Sequence, residues 1–121
     1  MDIKNTHGIK RVCNATRYSY QGLRAAFRCE PAFREEIVLA AVMLPLAFFI
    51  AESQLDRILL IATVVLVLIA ELFNSAIEAV VDRIGLEKHE LSGRAKDLGS
   101  AAVMLTMLLT LYVWIDILFF K

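Results

Sequence analysis

Two carboxylates and an amide lie close together in residues 71–78, which read E-L-F-N-S-A-I-E. Glu71, Asn74 and Glu78 are three and four positions apart, so a helix would place them on roughly one face. The preceding residues, 58–70, contain no charged side chain and a single polar one, a threonine. Because an ionisable side chain is costly at membrane depth, an acidic stripe at the end of such an apolar run indicates a function.

Charged side chains near this stripe would suit phosphoryl transfer. Two facing carboxylates can hold a hard divalent cation such as Mg²⁺, and lysine or arginine can bind phosphates. Glu71 would lie roughly 9 Å inside the membrane edge near Ile77, where a carboxylate suits a general base or a proton carrier, and Asn74 could orient it. The other charges expected at this boundary are Glu30, Asp82, Asp97, Arg11, Arg94 and Lys96.

The residues alone leave three classes of function open. No G-x-x-x-x-G-K-[ST] loop and no soluble-kinase signature is present, so a kinase of this sequence would not use the common nucleotide-binding folds. A lipid-modifying enzyme, a small proton-coupled transporter that uses Glu71, and a structural subunit all fit the pattern.

Composition and charge distribution indicate an integral membrane protein. The chain has 121 residues, enough for one domain, and is 59% hydrophobic with a mean hydropathy of +0.63. Seven of its 13 lysines and arginines lie at or before Arg34, and four more lie in residues 83–96. This clustering is typical of cytoplasmic segments and predicts an N-terminus inside and a C-terminus outside.

We therefore predict an all-α membrane protein of one domain, residues 1–121. Apolar and basic side chains both repeat at helical spacing in residues 8–28, as in an amphipathic helix on the membrane surface. The predicted elements are this surface helix within residues 1–30 and transmembrane helices at residues 31–51, 58–81 and 98–120.

The connections are predicted from charge and from helix-breaking residues. Residues 52–57 are expected to form a tight polar turn outside the membrane, and residues 82–97 a cytoplasmic connection broken at Gly85 and Gly93. The apolar part of the first span, residues 37–51, is short for a bilayer. At the outer end of the third span, Tyr112 and Trp114 fit an aromatic belt.

Longer motifs resemble a known family. E-L-F-N-S-A-I-E-A-V-V-D-R-I-G, then H-E-L-S-G-R-A-K-D-L-G-S-A-A-V, and near the N-terminus Y-S-Y-Q-G-L-R-A-A-F and E-P-A-F-R-E-E, are similar to the prokaryotic diacylglycerol kinases, Gram-negative type. The resemblance implies a homotrimer in the bacterial inner membrane, with three transmembrane helices and a surface helix per subunit. It implies ATP- and Mg²⁺-dependent phosphorylation of 1,2-diacylglycerol to phosphatidic acid, with no nucleic-acid partner. Undecaprenol, the acceptor of the related Gram-positive enzymes, is the alternative substrate.

The resemblance also implies roles for individual residues, shared between neighbouring subunits. Glu71 would be the general base, supported by Asn74, and Glu30 and Glu78 would hold the metal. The implied ATP-binding residues are Arg11, Tyr18, Glu30, Glu78, Asp82, Glu87, Lys88, His89, Lys96 and Asp97. The implied lipid-binding residues are Arg11, Ser19, Arg24, Ala25, Ala26, Phe27, Ala32, Glu36, Glu71, Leu98 and Trp114.

Overall fold

The chain forms four helices joined by short connections. A computed structural model describes residues 7–120, so residues 1–6 of the predicted surface-helix range and residue 121 lie outside the described part. The helices are α1 (Gly8–Cys29), α2 (Pro31–Ile50), α3 (Gln54–Ile84) and α4 (Glu90–Phe119). Residues 7–120 contain no strand, which confirms the all-α class.

Helix α3 begins earlier than its apolar sequence predicts. The expected polar turn over residues 52–57 is wrong, because Gln54–Arg57 already belong to α3 and only residues 51–53 connect α2 to it. Ser53 is the N-cap, and its side chain accepts a hydrogen bond of 3.1 Å from the backbone N–H of Asp56. A serine followed by an acid three residues later is a helix-start signal, and polar residues continue the helix beyond its apolar part.

The connection between α3 and α4 is likewise shorter than predicted. Helix α3 continues to Ile84 and ends at the C-cap Gly85, which confirms one of the two expected breaks. The break expected at Gly93 is wrong, because its N–H donates to the carbonyl of His89 at 2.9 Å within the first turn of α4. The His89 side chain caps α4 by accepting from the N–H of Leu91 at 3.1 Å, so the helix starts upstream of the glycine.

Two of the described helices, α3 and α4, are long and apolar enough to cross a membrane. Helix α2 does not pass the same test, because its 20 residues include Arg34, Glu35 and Glu36 near the start. The first predicted span therefore stays a prediction. Pro31 occupies the first turn of α2, where proline is favoured, and the helix continues through Pro45.

Helix α3 lies between α2 and α4 and provides the centre of the core. The buried cluster consists of Ala40, Ala47, Leu60, Val64 and Trp114. Small residues on α2 allow close helix packing, and polar side chains hydrogen-bond across the α3–α4 interface. The hydroxyl of Thr110 donates to the carbonyl of Thr63 at 3.1 Å, and the indole N–H of Trp114 donates to the carbonyl of Leu60 at 3.3 Å.

This packing corrects the aromatic-belt prediction for one of its two residues. Trp114 is only 7% exposed and lies between helices rather than on the outer surface, whereas Tyr112 is 69% exposed. The indole N–H needs a hydrogen-bond partner, and the carbonyl of Leu60 provides one inside the bundle.

Helix α1 packs against α2. Its side chains Ile9, Val12 and Tyr20 are exposed, and the position of this helix on the membrane surface stays a prediction. Its C-terminal end is attached to α2 by Arg34, whose Nη1 donates to the carbonyls of Phe27 and Arg28 at 3.0 Å each.

Candidate active site

The centre of the site is a pair of carboxyl groups on two helices, with two further acids around it. Glu71, on α3, is 6% exposed, and its carboxyl group lies within hydrogen-bonding reach of that of Glu36 on α2. The next charged groups around Glu71 are Glu78, two turns along α3, and Glu30, at the junction of α1 and α2. The structure thus brings Glu71 and Glu36 together, and two further acids that the sequence singles out, Glu78 and Glu30, are near enough to act on Glu71 electrostatically.

Asn74 lies one turn from both glutamates of α3. Its Nδ2 donates to Oε1 of Glu78 at 3.2 Å, whereas the sequence favours an orienting role towards Glu71. Its Oδ1 is buried against Gly99 of α4, at the place that a Cβ on residue 99 would occupy. Asn74 therefore holds the carboxylate of Glu78 rather than that of Glu71.

Glu30 is held at the corner between two helices. It is the C-cap of α1, where its N–H donates to the carbonyl of Ala26 at 2.9 Å, and also the N-cap of α2. The hydrogen bonds from Arg34 to the last carbonyls of α1 fix the angle of this corner. From this corner the Glu30 carboxylate is near enough to act on Glu71 electrostatically.

A groove of about 530 Å³ lies at the α3–α4 connection. Five of the predicted ATP-binding residues line it: Asp82, Glu87, Lys88, His89 and Lys96. The Nζ of Lys96 and Oδ1 of Asp82 form an ion pair at 2.8 Å, and the carboxylate of Glu78 also acts on Lys96 electrostatically. The volume lies in the usual range for small-molecule sites, and the mixed charges suit a phosphorylated ligand with a cation.

Besides Glu30 and Glu78, three predicted nucleotide contacts do not line this groove. Arg11 and Tyr18 are on α1, where the Tyr18 hydroxyl accepts from Nη2 of Arg17 at 3.5 Å. Asp97 follows Lys96 on α4 and is exposed. None of these three lines the groove at the α3–α4 connection.

The comparisons with known proteins agree with the motifs. The family description that matches is "Prokaryotic diacylglycerol kinase", over residues 17–118. The chain belongs to this family. The diacylglycerol kinase of Haemophilus influenzae is 53% identical over 115 residues, 95% of this chain and 98% of that protein. Those of Escherichia coli K12 and Pseudomonas aeruginosa are 51% and 50% identical, covering 91% and 95% of this chain and 90% and 94% of theirs. This prokaryotic diacylglycerol kinase family member is therefore a lipid kinase.

Two further grooves lie beside the acidic residues around Glu71, one lined by Glu30 and the other by Glu36. One, of about 640 Å³ between α1 and α3, is lined by Ser19, Ala25, Ala26 and Glu30 of the predicted lipid-binding and metal-binding sets. The other, of about 230 Å³ between α2, α3 and α4, is mostly apolar. Its lining includes Glu36 and Trp114, also from the lipid-binding set. The other predicted lipid contacts line neither groove: Glu71 is buried, and Arg11, Arg24, Phe27, Ala32 and Leu98 are exposed.

Within residues 7–120, no three histidine, cysteine, aspartate or glutamate side chains converge as a metal site. Mg²⁺ in kinases is usually held by one or two carboxylates together with substrate phosphates, so a preformed protein cage is not required. Glu30 and Glu78, both near Glu71, match that smaller donor set.

The structure adds two residues to the site that the sequence did not identify. Arg34 reaches back six and seven positions to carbonyls of the preceding helix, a contact without a sequence signature. Gly99 begins the run of small residues 99–102, a type of sequence that allows close helix packing, but the sequence does not show which residue of α3 packs against it.

Proposed function

We propose that the protein transfers the γ-phosphoryl group of ATP to the free hydroxyl of 1,2-diacylglycerol, giving phosphatidic acid and ADP. The supporting observation is the position of Glu71, buried beside Glu36 and about 10.5 Å along α3 from Glu78. A buried carboxylate on the lipid side and a charged groove beyond it suit a reaction between a lipid and a soluble phosphate donor.

In the proposed mechanism, Glu71 accepts the proton of the lipid hydroxyl. The hydroxyl oxygen then forms a bond to the γ-phosphorus, and the bond from that phosphorus to the bridging oxygen of ADP breaks. Such reactions need mainly positioning and charge neutralisation, and lysine is a common phosphate ligand. Lys96, in the groove, is suited to that task.

Glu30 and Glu78 would hold Mg²⁺ with the phosphates of ATP. When bound, the ion would neutralise charge that develops on the phosphate oxygens. Asn74 keeps the Glu78 carboxylate in place through its hydrogen bond. Arg11, Tyr18, Glu87, Lys88, His89 and Asp97 are proposed as further nucleotide contacts.

The proposed setting is the bacterial inner membrane, with the N-terminus and the site on the cytoplasmic side. We also propose the homotrimer that the family resemblance implies, with residues of neighbouring subunits completing the site. Arg11 and Tyr18 lie on α1 and do not line the groove of their own subunit, which is compatible with such sharing.

The test is transfer of label from γ-labelled ATP into lipid by the purified protein in mixed micelles. Diacylglycerol and undecaprenol are compared at equal mole fraction, and labelled phosphatidic acid is the expected product. Labelled undecaprenyl phosphate alone would overturn the substrate assignment. Ion-coupled flux in sealed vesicles without ATP consumption would favour the transporter and overturn the kinase proposal.

Glu71→Gln tests the general base in the same assay. The variant should bind ATP with unchanged affinity but lose nearly all turnover, because an amide cannot accept the proton. Glu35→Gln is the matched control, since Glu35 is an exposed acid on α2 one position from Glu36. Full activity of Glu71→Gln would refute the general-base role.

A further inference from the structure

The closest approach between α3 and α4 occurs beside the acidic stripe, at Gly99. A Cβ added to residue 99 would overlap Oδ1 of Asn74 and lie 3.6 Å from Cδ1 of Ile77. The amide of Asn74 therefore occupies the space that every residue other than glycine would fill. This overlap sets Gly99 apart from Gly22 and Gly93, where an added Cβ meets nothing within 4 Å.

The space beside Gly99 that a Cβ would fill, called the slot below, also determines which way the Asn74 amide faces. Oδ1 is buried in the slot and has no hydrogen-bond partner in the described part of the chain. The other end of the amide, Nδ2, donates to Oε1 of Glu78 at 3.2 Å. The reverse orientation would place the amide oxygen against a carboxylate oxygen, so the donor must face Glu78.

The contact at Gly99 thus affects the carboxylate of Glu78, which lies one helical turn from Asn74. Glu78 accepts from Asn74, lies near Glu71 and acts on Lys96. A side chain that displaced Asn74 from the slot would remove the donor that orients Glu78. Because Oδ1 makes no hydrogen bond among residues 7–120, the packing at Gly99 is the main restraint on that end of the amide.

We propose that Gly99 is a positioning residue, whose missing side chain leaves the slot that directs the Asn74 amide onto Glu78. Gly99 acts through Asn74 alone and touches no substrate. This inference rests on the proposed function only in that Glu78 is needed for phosphoryl transfer.

A double-mutant cycle tests this chain of action. Gly99→Ala, Asn74→Ala and the double variant are compared for kcat, for the KM of diacylglycerol and for the Mg²⁺ concentration at half-maximal rate. Gly99→Ala should lower kcat at least tenfold and raise the Mg²⁺ requirement, with the KM of diacylglycerol within twofold. In the Asn74→Ala background the same glycine substitution should change kcat less than twofold, because the amide it displaces is gone.

Thermal stability provides the readout that does not depend on activity. Gly99→Ala should lower the melting temperature when Asn74 is present and not when Asn74 is alanine, because shortening that side chain empties the slot. Gly93→Ala is the control for adding a methyl group to α4, and its melting temperature should not fall.

The outcomes separate this inference from the proposed function. Wild-type protein that labels no lipid would refute the proposed function, while the stability cycle would still test the contact. Active wild type with additive effects of the two substitutions, or with Gly99→Ala within twofold of wild type, would overturn the positioning role alone.

Discussion

Arg34 is expected to hold the surface helix against the bundle, and its removal should release the corner that carries Glu30. Its Nη1 donates to the carbonyls of Phe27 and Arg28 at 3.0 Å each, the last carbonyls of α1. These carbonyls have no partner within α1, and a cation near them also interacts favourably with the helix dipole. Arg34→Ala deletes both hydrogen bonds and the charge.

The size of the effect follows from the two bonds. Arg34 is half-buried, so each bond is expected to contribute about 1 kcal/mol rather than the larger value of a buried charged group. Loss of both would shift the docking equilibrium of the corner by about 2 kcal/mol, roughly 30-fold. Arg34→Lys retains the charge without the planar guanidinium and should lose less than Arg34→Ala.

Hydrogen exchange of the backbone amides of residues 26–30 measures this equilibrium. The N–H of Glu30, bonded to the carbonyl of Ala26 at 2.9 Å, should exchange roughly 30-fold faster in Arg34→Ala. Arg28→Ala is the control, because it removes an exposed arginine from the same turn. Equal exchange in the two variants, or a change below threefold in Arg34→Ala, would refute the docking role.

Three further predictions concern metal use and stability. Glu78→Gln should raise the Mg²⁺ concentration at half-maximal rate at least tenfold, because the amide loses the negative charge; an unchanged titration would argue against a ligand role. Trp114→Phe loses the hydrogen bond to the carbonyl of Leu60 and should destabilise the bundle by about 0.6–1.7 kcal/mol in detergent unfolding; wild-type stability would contradict this. Ser53→Ala removes the cap that accepts from Asp56 N–H and should cost about 1 kcal/mol by the same measurement, whereas Ser53→Asp should retain most of it.

The helices themselves were largely predictable because their signals are local. Residues 8–28 were predicted for α1, which spans Gly8–Cys29, and the periodic pattern explains this agreement. The errors lie at helix ends, where hydropathy reports the lipid-facing part and not the length of the helix. Gly93 lies inside α4 for this reason, since the cap at His89 starts the helix before the glycine.

The contacts of the candidate site were less predictable because they join distant parts of the chain. The spacing of Glu71 and Glu78 on one helix could be read from the sequence. The approach of Glu36 to Glu71 depends on how α2 packs against α3, which no local pattern specifies. The same holds for Trp114. Its indole N–H donates to the carbonyl of Leu60 on α3, and the residues around Trp114 do not predict that contact.

The length of α3 has a consequence for how the two substrates would meet. Its 31 residues span about 46 Å, whereas the hydrocarbon layer is about 30 Å thick, so about a third of the helix would stand outside it. The same helix would then extend from the hydrocarbon layer of the membrane into the surrounding water. The lipid would reach Glu71 by diffusion within the plane of the membrane. The nucleotide would reach the groove by diffusion through the solution. The rate would then follow the mole fraction of diacylglycerol in the bilayer, and diluting the membranes in buffer would not change it at saturating ATP.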